Sequence, residues 1–326
     1  MPPFPSAAPP ASGVRTPWER LPVHVRDGVA EILGAPVATA TTQRGGFSPG
    51  LAARVGTADG RRAFVKAVSA EAGPLGPGLH RTEARHTAAL PPDTPAPRLL
   101  GTYDDGVWVA LVFEDIPGIQ PHVPWRDDEL GRVLTAVHGL SDRLTPSPFD
   151  APSVTDRHRD TFRGWEHLMA AGGTHGLDPW AAHHLPQLAR LSEDWAEHAA
   201  GHTLTHGDLR ADNVLLTADD RVVFVDWPHA CVAAPWFDLL LMLPCVRAQG
   251  GPDPQRVFTE HPLGRDADPE GVTSVLAALA GRFVHLSRRP PPAGRPTVRA
   301  FQHAQGVAAL RWLRSRLAKR PVRGLA

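Results

Sequence analysis

The chain has 326 residues in which 34 Lys and Arg balance 34 Asp and Glu, so no net field draws it to nucleic acid or to an anionic membrane surface. Its length accommodates two domains or lobes. Two cysteines, Cys231 and Cys245, make no disulfide framework and suit a reducing compartment, each as a small buried hydrophobe.

Taken in order, Met1–Thr16 is Pro, Ala and Ser with one Arg. Such a segment holds too little apolar surface to order itself, so residues 1–16 are expected to form a disordered tail. The tail lacks the charged start and apolar block of a signal peptide. No window reaches the roughly 20 apolar residues of a membrane span. A soluble cytoplasmic protein, monomer or homodimer, is the expectation.

Trp18–Leu33 places Leu21, Val25, Val29 and Ile32 on one helical stripe, and Gly34 is a natural stop. Strand-like runs follow at Val37–Thr41, Leu51–Val55 and Arg62–Val68, the last two joined by the turn Ala58-Asp59-Gly60. Between the first two lies Gln43-Arg44-Gly45-Gly46-Phe47-Ser48-Pro49-Gly50. Glycines there would let backbone amides approach phosphate oxygens without obstruction. Lys66, one of only two lysines, sits in the otherwise apolar third run. Burying an unpaired cation is costly, and the helix Leu79–Leu90 offers Glu83 as partner, with Glu71 as competitor. Two further strands, Arg98–Tyr103 and Val107–Phe113, flank the hairpin turn Asp104-Asp105-Gly106.

From Pro124 the periodicity becomes helical, over Asp127–Leu144, Asp156–Ala170, Pro179–Ala199, Pro235–Val246, Pro269–Leu286 and Arg295–Leu317. Within this half stands His206-Gly207-Asp208-Leu209-Arg210-Ala211-Asp212-Asn213, then a hairpin pattern ending in Val225-Asp226-Trp227. An acid, an amide five positions on and a second acid past a buried strand are the groups that phosphoryl transfer requires. Residues 120–270 carry 12 Arg against 23 Asp and Glu, whereas residues 271–326 carry 11 Lys and Arg and no acid. An acidic lobe would attract a cationic acceptor through Asp127, Asp128, Glu129, Asp156, Asp160, Glu193 or Glu260. Acids at helix starts also serve the macrodipole and solubility. Seventeen histidines show no H-E-x-x-H spacing, so no zinc site is expected. No G-x-S-x-G hydrolase motif occurs.

With these residues in place, the chain resembles the aminoglycoside phosphotransferase and choline kinase group, relatives of the protein kinases, whose catalytic loop reads H-G-D-x-x-x-x-N and whose metal-binding acid follows a strand as D-W or D-F. The resemblance implies a bilobal α+β fold. It has a small antiparallel sheet lobe with one key helix (residues 17–114) and a larger, mostly helical lobe (residues 115–326). It makes Asp208 the catalytic base, with Arg210 beside the transferred phosphate, and Asn213 and Asp226 the magnesium ligands. Lys66 with Glu83 would grip the nucleotide's phosphates, as would Gly45, Gly46, Phe47 and Ser48, and the hinge from Glu114 to Ile116 would bind the purine. Asp238 would brace the catalytic loop and His206 would hold it by hydrogen bonds. The implied activity is transfer of phosphate from ATP or GTP to a hydroxyl of an aminoglycoside or another small amino or sugar alcohol, with antibiotic resistance among the roles the resemblance implies. A peptide or protein kinase, or a non-catalytic nucleotide-binding protein, would use the same residues. Two departures stand out: Pro49 removes a potential phosphate donor from the glycine loop, and Arg210-Ala211-Asp212 replaces the His-Pro-Gly common in antibiotic-modifying relatives.

Overall fold

A computed structural model describes residues 8–43, 45–71, 75–172 and 174–319; Arg44 of the glycine loop and residues 1–7 of the tail lie outside them. The first lobe consists of α1 (Val23–Leu33), β1 (Val37–Thr42), β2 (Leu51–Thr57), β3 (Arg62–Ser69), α2 (Gly76–Ala89), β4 (Leu99–Asp104) and β5 (Trp108–Glu114). Its five strands form one antiparallel sheet in the order β1-β2-β3-β5-β4. Side chains alternate across a strand, so Ala63, Val65 and Ala67 of the central β3 pack with Val25 and Val29 of α1. Phe64, on the opposite face, joins Leu111, Phe113 and Ala84 of α2. Lys66 shares that second face and is thereby aimed at α2.

The second lobe begins with β6 (Gly118–Ile119) and α3 (Asp127–Arg143), followed by α4 (Val154–His158), α5 (Gly164–Ala170), α6 (Pro179–His183), α7 (Leu185–Leu191) and α8 (Trp195–Ala199). Short strands β7 (Thr203–Thr205), β8 (Val214–Thr217), β9 (Val222–Phe224) and β10 (Cys231–Ala233) frame the loop of residues 206–213. They are followed by α9 (Phe237–Ala248), α10 (Pro254–Glu260), α11 (Pro262–Arg265), α12 (Pro269–Ser287) and α13 (Val298–Lys319). The core of this lobe is built around α9 and α12, whose residues Leu239, Leu240, Val275 and Leu276 are fully buried. Among the described residues no helix is long and apolar enough to cross a membrane.

Three expectations change. Trp18–Leu33 is a 3-10 turn (Trp18–Arg20) followed by α1. Pro22 caps α1 in an extended conformation at ψ 148° and, lacking an N–H, cannot continue a preceding helix. The long helices read over 156–170 and 179–199 are broken into α4–α5 and α6–α7–α8; Pro186 lies in the first turn of α7, where the missing donor is harmless. Finally, residues 8–16 are not a free tail. Ala8 donates its N–H to Ala248 O at 3.1 Å, Val14 to Gly294 O at 2.9 Å and Thr16 to Gly50 O at 3.0 Å. Ala8 is buried against Cys245 and Phe301. This strap needs no core of its own, because it borrows one from both lobes.

α5 crosses α12 so closely that a Cβ on Gly164 would sit 2.1 Å from Gly281 O. That contact sets the height of Arg282, the next residue on α12. Replacing Gly164 with Ala forces backbone apart, so urea denaturation is expected to show a loss of about 1–3 kcal/mol.

Candidate active site

The loop of residues 206–213 is shaped by its main chain. Asp238, in the first turn of α9 and 5% exposed, accepts the N–H of His206 on Oδ2 at 2.7 Å and that of Gly207 on Oδ1 at 2.8 Å. Gly207 has φ 76°, and a Cβ there would lie 2.3 Å from His229 O, so only glycine fits. The His206 ring, neutralised by burial, donates from Nε2 to Val225 O at 2.9 Å. Its Nδ1 accepts the N–H of Asp208 at 3.3 Å. One imidazole thus ties the loop to the strand end that presents Asp226.

On this loop, Asp208 and Asp212 flank Arg210. The guanidinium binds both oxygens of Asp208 through Nη1 and grips Asp212 with Nε at 3.0 Å and Nη2 at 2.9 Å. Burial raises the Asp208 carboxyl above its ordinary value, although Arg210 opposes the shift. Asn213 donates from Nδ2 to Asp208 O at 2.8 Å, which leaves its side-chain oxygen uncommitted. Val225 N–H donates to Asn213 O at 3.0 Å, so Asn213 and Asp226 are held side by side. Two hard oxygen donors suit magnesium, and residues 208–226 therefore fit the ion that the resemblance implies.

Across the cleft, Lys66 Nζ lies 2.6 Å from Glu83 Oε1 and 2.9 Å from Asp226 Oδ1. Glu71 is exposed and plays no part. Burial alone would lower the Lys66 ammonium, but Asp226 and Glu83 together raise it. Asp226 also resists a burial penalty and is held down to about 2 by Lys66. Glu83, 3% exposed, is pushed up to about 7 by burial despite the lysine. Asp226 has φ 73°, an uncommon value for a residue with a side chain. A second tie joins the lobes where His86 Nδ1 of α2 donates to Trp227 O at 3.0 Å.

Between the lobes lies a cleft of about 400 Å³, within the usual range for ligand sites. Gly45, Gly46, Ser48, Lys66, Glu83, Glu114, Ile116, Asn213 and Asp226 all border it. In the hinge, Glu114 N–H is engaged by Arg98 O at 2.9 Å. Ile116 O receives Gly118 N–H at 2.8 Å and Arg54 Nη2 at 3.0 Å. Phe47 departs from expectation. Its ring turns away from the nucleotide cleft, packs edge-on against Phe301 at 5.1 Å and covers Arg210 at 5.5 Å, because an aromatic ring buries more surface there than at a polar mouth. Phe47 and Asp208 border a smaller cavity of about 80 Å³ together with Arg210, Arg282, Phe301 and Gln305.

Sequence reasoning missed Arg15, Arg282 and Arg157. Arg15 is in the larger cleft and donates to the carbonyls of Gly45 and Ser48; its one signal is being the sole charged side chain in the first 16 residues. Arg282 and Arg157 carried no local pattern. The acids considered for a cationic acceptor lie elsewhere. Asp127, Asp128, Asp156, Asp160, Glu193 and Glu260 are exposed, Glu129 is bound by His122, and none borders either cavity. Counting charge along a chain does not say which way it faces.

The sheet lobe, hinge and helical lobe define a protein-kinase-like fold. The model of the phosphotransferase enzyme family matches residues 44–273, and the chain belongs to that family. Among solved structures, a thermostable mutant of the aminoglycoside phosphotransferase APH(4)-Ia, in ternary complex with AMP-PNP and hygromycin B, is 16% identical with a TM-score of 0.58, over 90% of this chain and 99% of that one. The aminoglycoside-3'-phosphotransferase of type VIII is 22% identical with a TM-score of 0.55, over 80% and 100%. Choline kinase LicA from Streptococcus pneumoniae is 12% identical with a TM-score of 0.58, over 90% and 98%. At these identities the likeness is one of fold. A comparison with curated proteins gives no significant match.

Truncating Asp238 to Ala would strand two buried N–H donors that now meet a carboxylate. Denaturant titration is expected to show about 2–4 kcal/mol of lost stability.

Proposed function

We propose that this protein is a small-molecule kinase that transfers the γ-phosphate of ATP or GTP to a hydroxyl of a small acceptor and requires magnesium. The observation that carries this reading is the convergence of Asn213 and Asp226 of one lobe with Lys66 and Glu83 of the other around one cleft, with Asp208, bound through its carbonyl to Asn213 at 2.8 Å, on the smaller cavity. Asp208 orients the acceptor hydroxyl and takes its proton. Lys66, charged and fixed by two carboxylates, meets the nucleotide's phosphates. Asn213 and Asp226 would hold magnesium, which neutralises phosphate charge when bound. The remaining work is positioning, and the main-chain bonds to Asp238 and His206 supply it before substrate arrives. The glycine loop contributes amides at Gly45, Gly46 and Ser48, with Pro49 contributing none.

The acceptor class expected from sequence was an aminoglycoside or a small amino or sugar alcohol. With Asp127, Asp128, Asp156, Asp160, Glu193 and Glu260 exposed and bordering neither cavity, the reading here is a small hydroxyl compound.

Two paired variants separate the roles. Asp208→Ala should lower turnover about 10²–10⁴-fold while calorimetric nucleotide affinity stays near that of the parent. Asp226→Ala should abolish the gain in nucleotide affinity that magnesium brings; turnover retained in the first, or an unchanged magnesium effect in the second, contradicts the assignment. The pH profile is a separate check. Because folding raises the Asp208 carboxyl, its proton is shed at higher pH than in a free side chain. The acidic limb of kcat/KM should therefore lie above the ordinary carboxylate value of about 4, and Arg210→Ala should shift it further up, since Arg210 is the group that holds it down.

A further inference from the structure

The small cavity beside Asp208 has a basic wall. Arg282 of α12 borders it, and the positive charge of Arg157 on α4 disfavours the charge on Arg282. Nε of each is buried without a hydrogen-bond partner, and among the described residues no carboxylate forms an ion pair with either. Arg282 Nη1 lies 3.5 Å from His158 Nδ1. Burial and the two arginines hold that imidazole neutral, so it is no counter-ion. The rings of Phe162 and Phe283, each 5.9 Å from the guanidinium carbon, shield it further from water. The acids in the neighbourhood are already engaged, since Arg210 binds both Asp208 and Asp212.

Arg282 borders the cavity of Asp208, whereas Arg15 borders the larger cleft of Asp226; Asp208 acts on Arg282 and Arg157, and Asp226 and Asp212 act on Arg15. Cations left without a partner in a buried place are costly unless a ligand supplies the opposite charge. A guanidinium presents donors that match the two oxygens of a carboxylate or phosphate.

We propose that the acceptor is an anionic hydroxyl compound, whose carboxylate or phosphate is bound by Arg282, with Arg157 reinforcing the charge from behind. The inference rests on the kinase reading and narrows its substrate. The hydroxyl lies at Asp208 and gives it the proton, its oxygen forms the new bond to the γ-phosphorus, and the β–γ bridging bond breaks with its electron pair leaving on the nucleoside diphosphate. The cavity, about 80 Å³, is far below the roughly 300–1,000 Å³ of a drug-sized ligand site, so it takes the compact anionic end of such a molecule and excludes an oligosaccharide.

Two measurements test it on the full chain. With AMP-PNP and magnesium saturating, so that the nucleotide's own phosphate site is filled, inorganic sulfate is titrated at constant ionic strength and the melting temperature followed. Sulfate should stabilise the parent, and Arg282→Gln should weaken that response about tenfold, the size of one charge-assisted hydrogen bond. Arg282→Lys should restore part of it, and Arg157→Gln gives a second, less buried variant. ADP formation is then compared for gluconate, glucose 6-phosphate, glucose and glucosamine. One of the two anions should exceed the neutral and cationic members about tenfold in kcat/KM, and which one does so tells carboxylate from phosphate. Indifference to sulfate in parent and variants alike, preference for glucosamine or glucose, or a tenfold loss of nucleotide affinity in Arg282→Gln overturns the proposal. Failure of the kinase reading looks different: the parent itself would show no magnesium-dependent nucleotide binding.

Discussion

The buried ammonium of Lys66 is the point on which the two halves of this molecule agree. It is 15% exposed and within 3 Å of carboxylates from both lobes, Glu83 on α2 and Asp226 past β9. An unpaired charge there would be prohibitive, so the sheet face, the helix and the strand end must all arrive together. The antiparallel pairing of β3 between β2 and β5 fixes where Lys66 points. His86, one turn beyond Glu83, binds the carbonyl after Asp226 and keeps α2 in register with it. A shared cation is thereby converted into a fixed distance between the Lys66–Glu83 side and the Asp226 side of the cleft.

Around that point the site is built from two kinds of order. Main-chain geometry comes first: Gly207 in a conformation open to glycine, two N–H groups on Asp238 and a single imidazole tautomer linking positions 206 and 225. Charge comes second, and it is arranged in alternation, with Arg210 between Asp208 and Asp212 and Lys66 between Glu83 and Asp226. Arg282 and Arg157 lie outside both alternating sets, and for that reason they stand out as groups that await something from solution.

Much of this could be read from the sequence, because several signals were local. The loop from His206 to Asn213, the strand leading to Asp226 and the alternation around Lys66 each lie within a few residues, and periodicity alone fixed the strand order's raw material. Glu83 followed from the need of Lys66 for a partner. What escaped was decided by contacts between distant segments. The strap at 8–16 has no apolar pattern and orders only because Gly46, Gly50, Ala248 and Gly294 lie alongside it. Arg282 sits on a helix whose periodicity marks it as core, and nothing nearby in sequence tells that its head reaches a cavity. The breaks within 156–170 and 179–199 depended on tertiary packing that overrides a helical stripe. Phe47 followed a neighbouring ring rather than its loop.

The strap has a mechanical consequence. One edge is stitched to the glycine loop and the other to residues 294–297 of the opposite lobe through backbone bonds and the Thr297 hydroxyl. Separating the lobes must therefore unzip it, yet each stitch is worth only about 1 kcal/mol. The lobes are joined there like a press-stud fastening, firm in aggregate and undone one snap at a time.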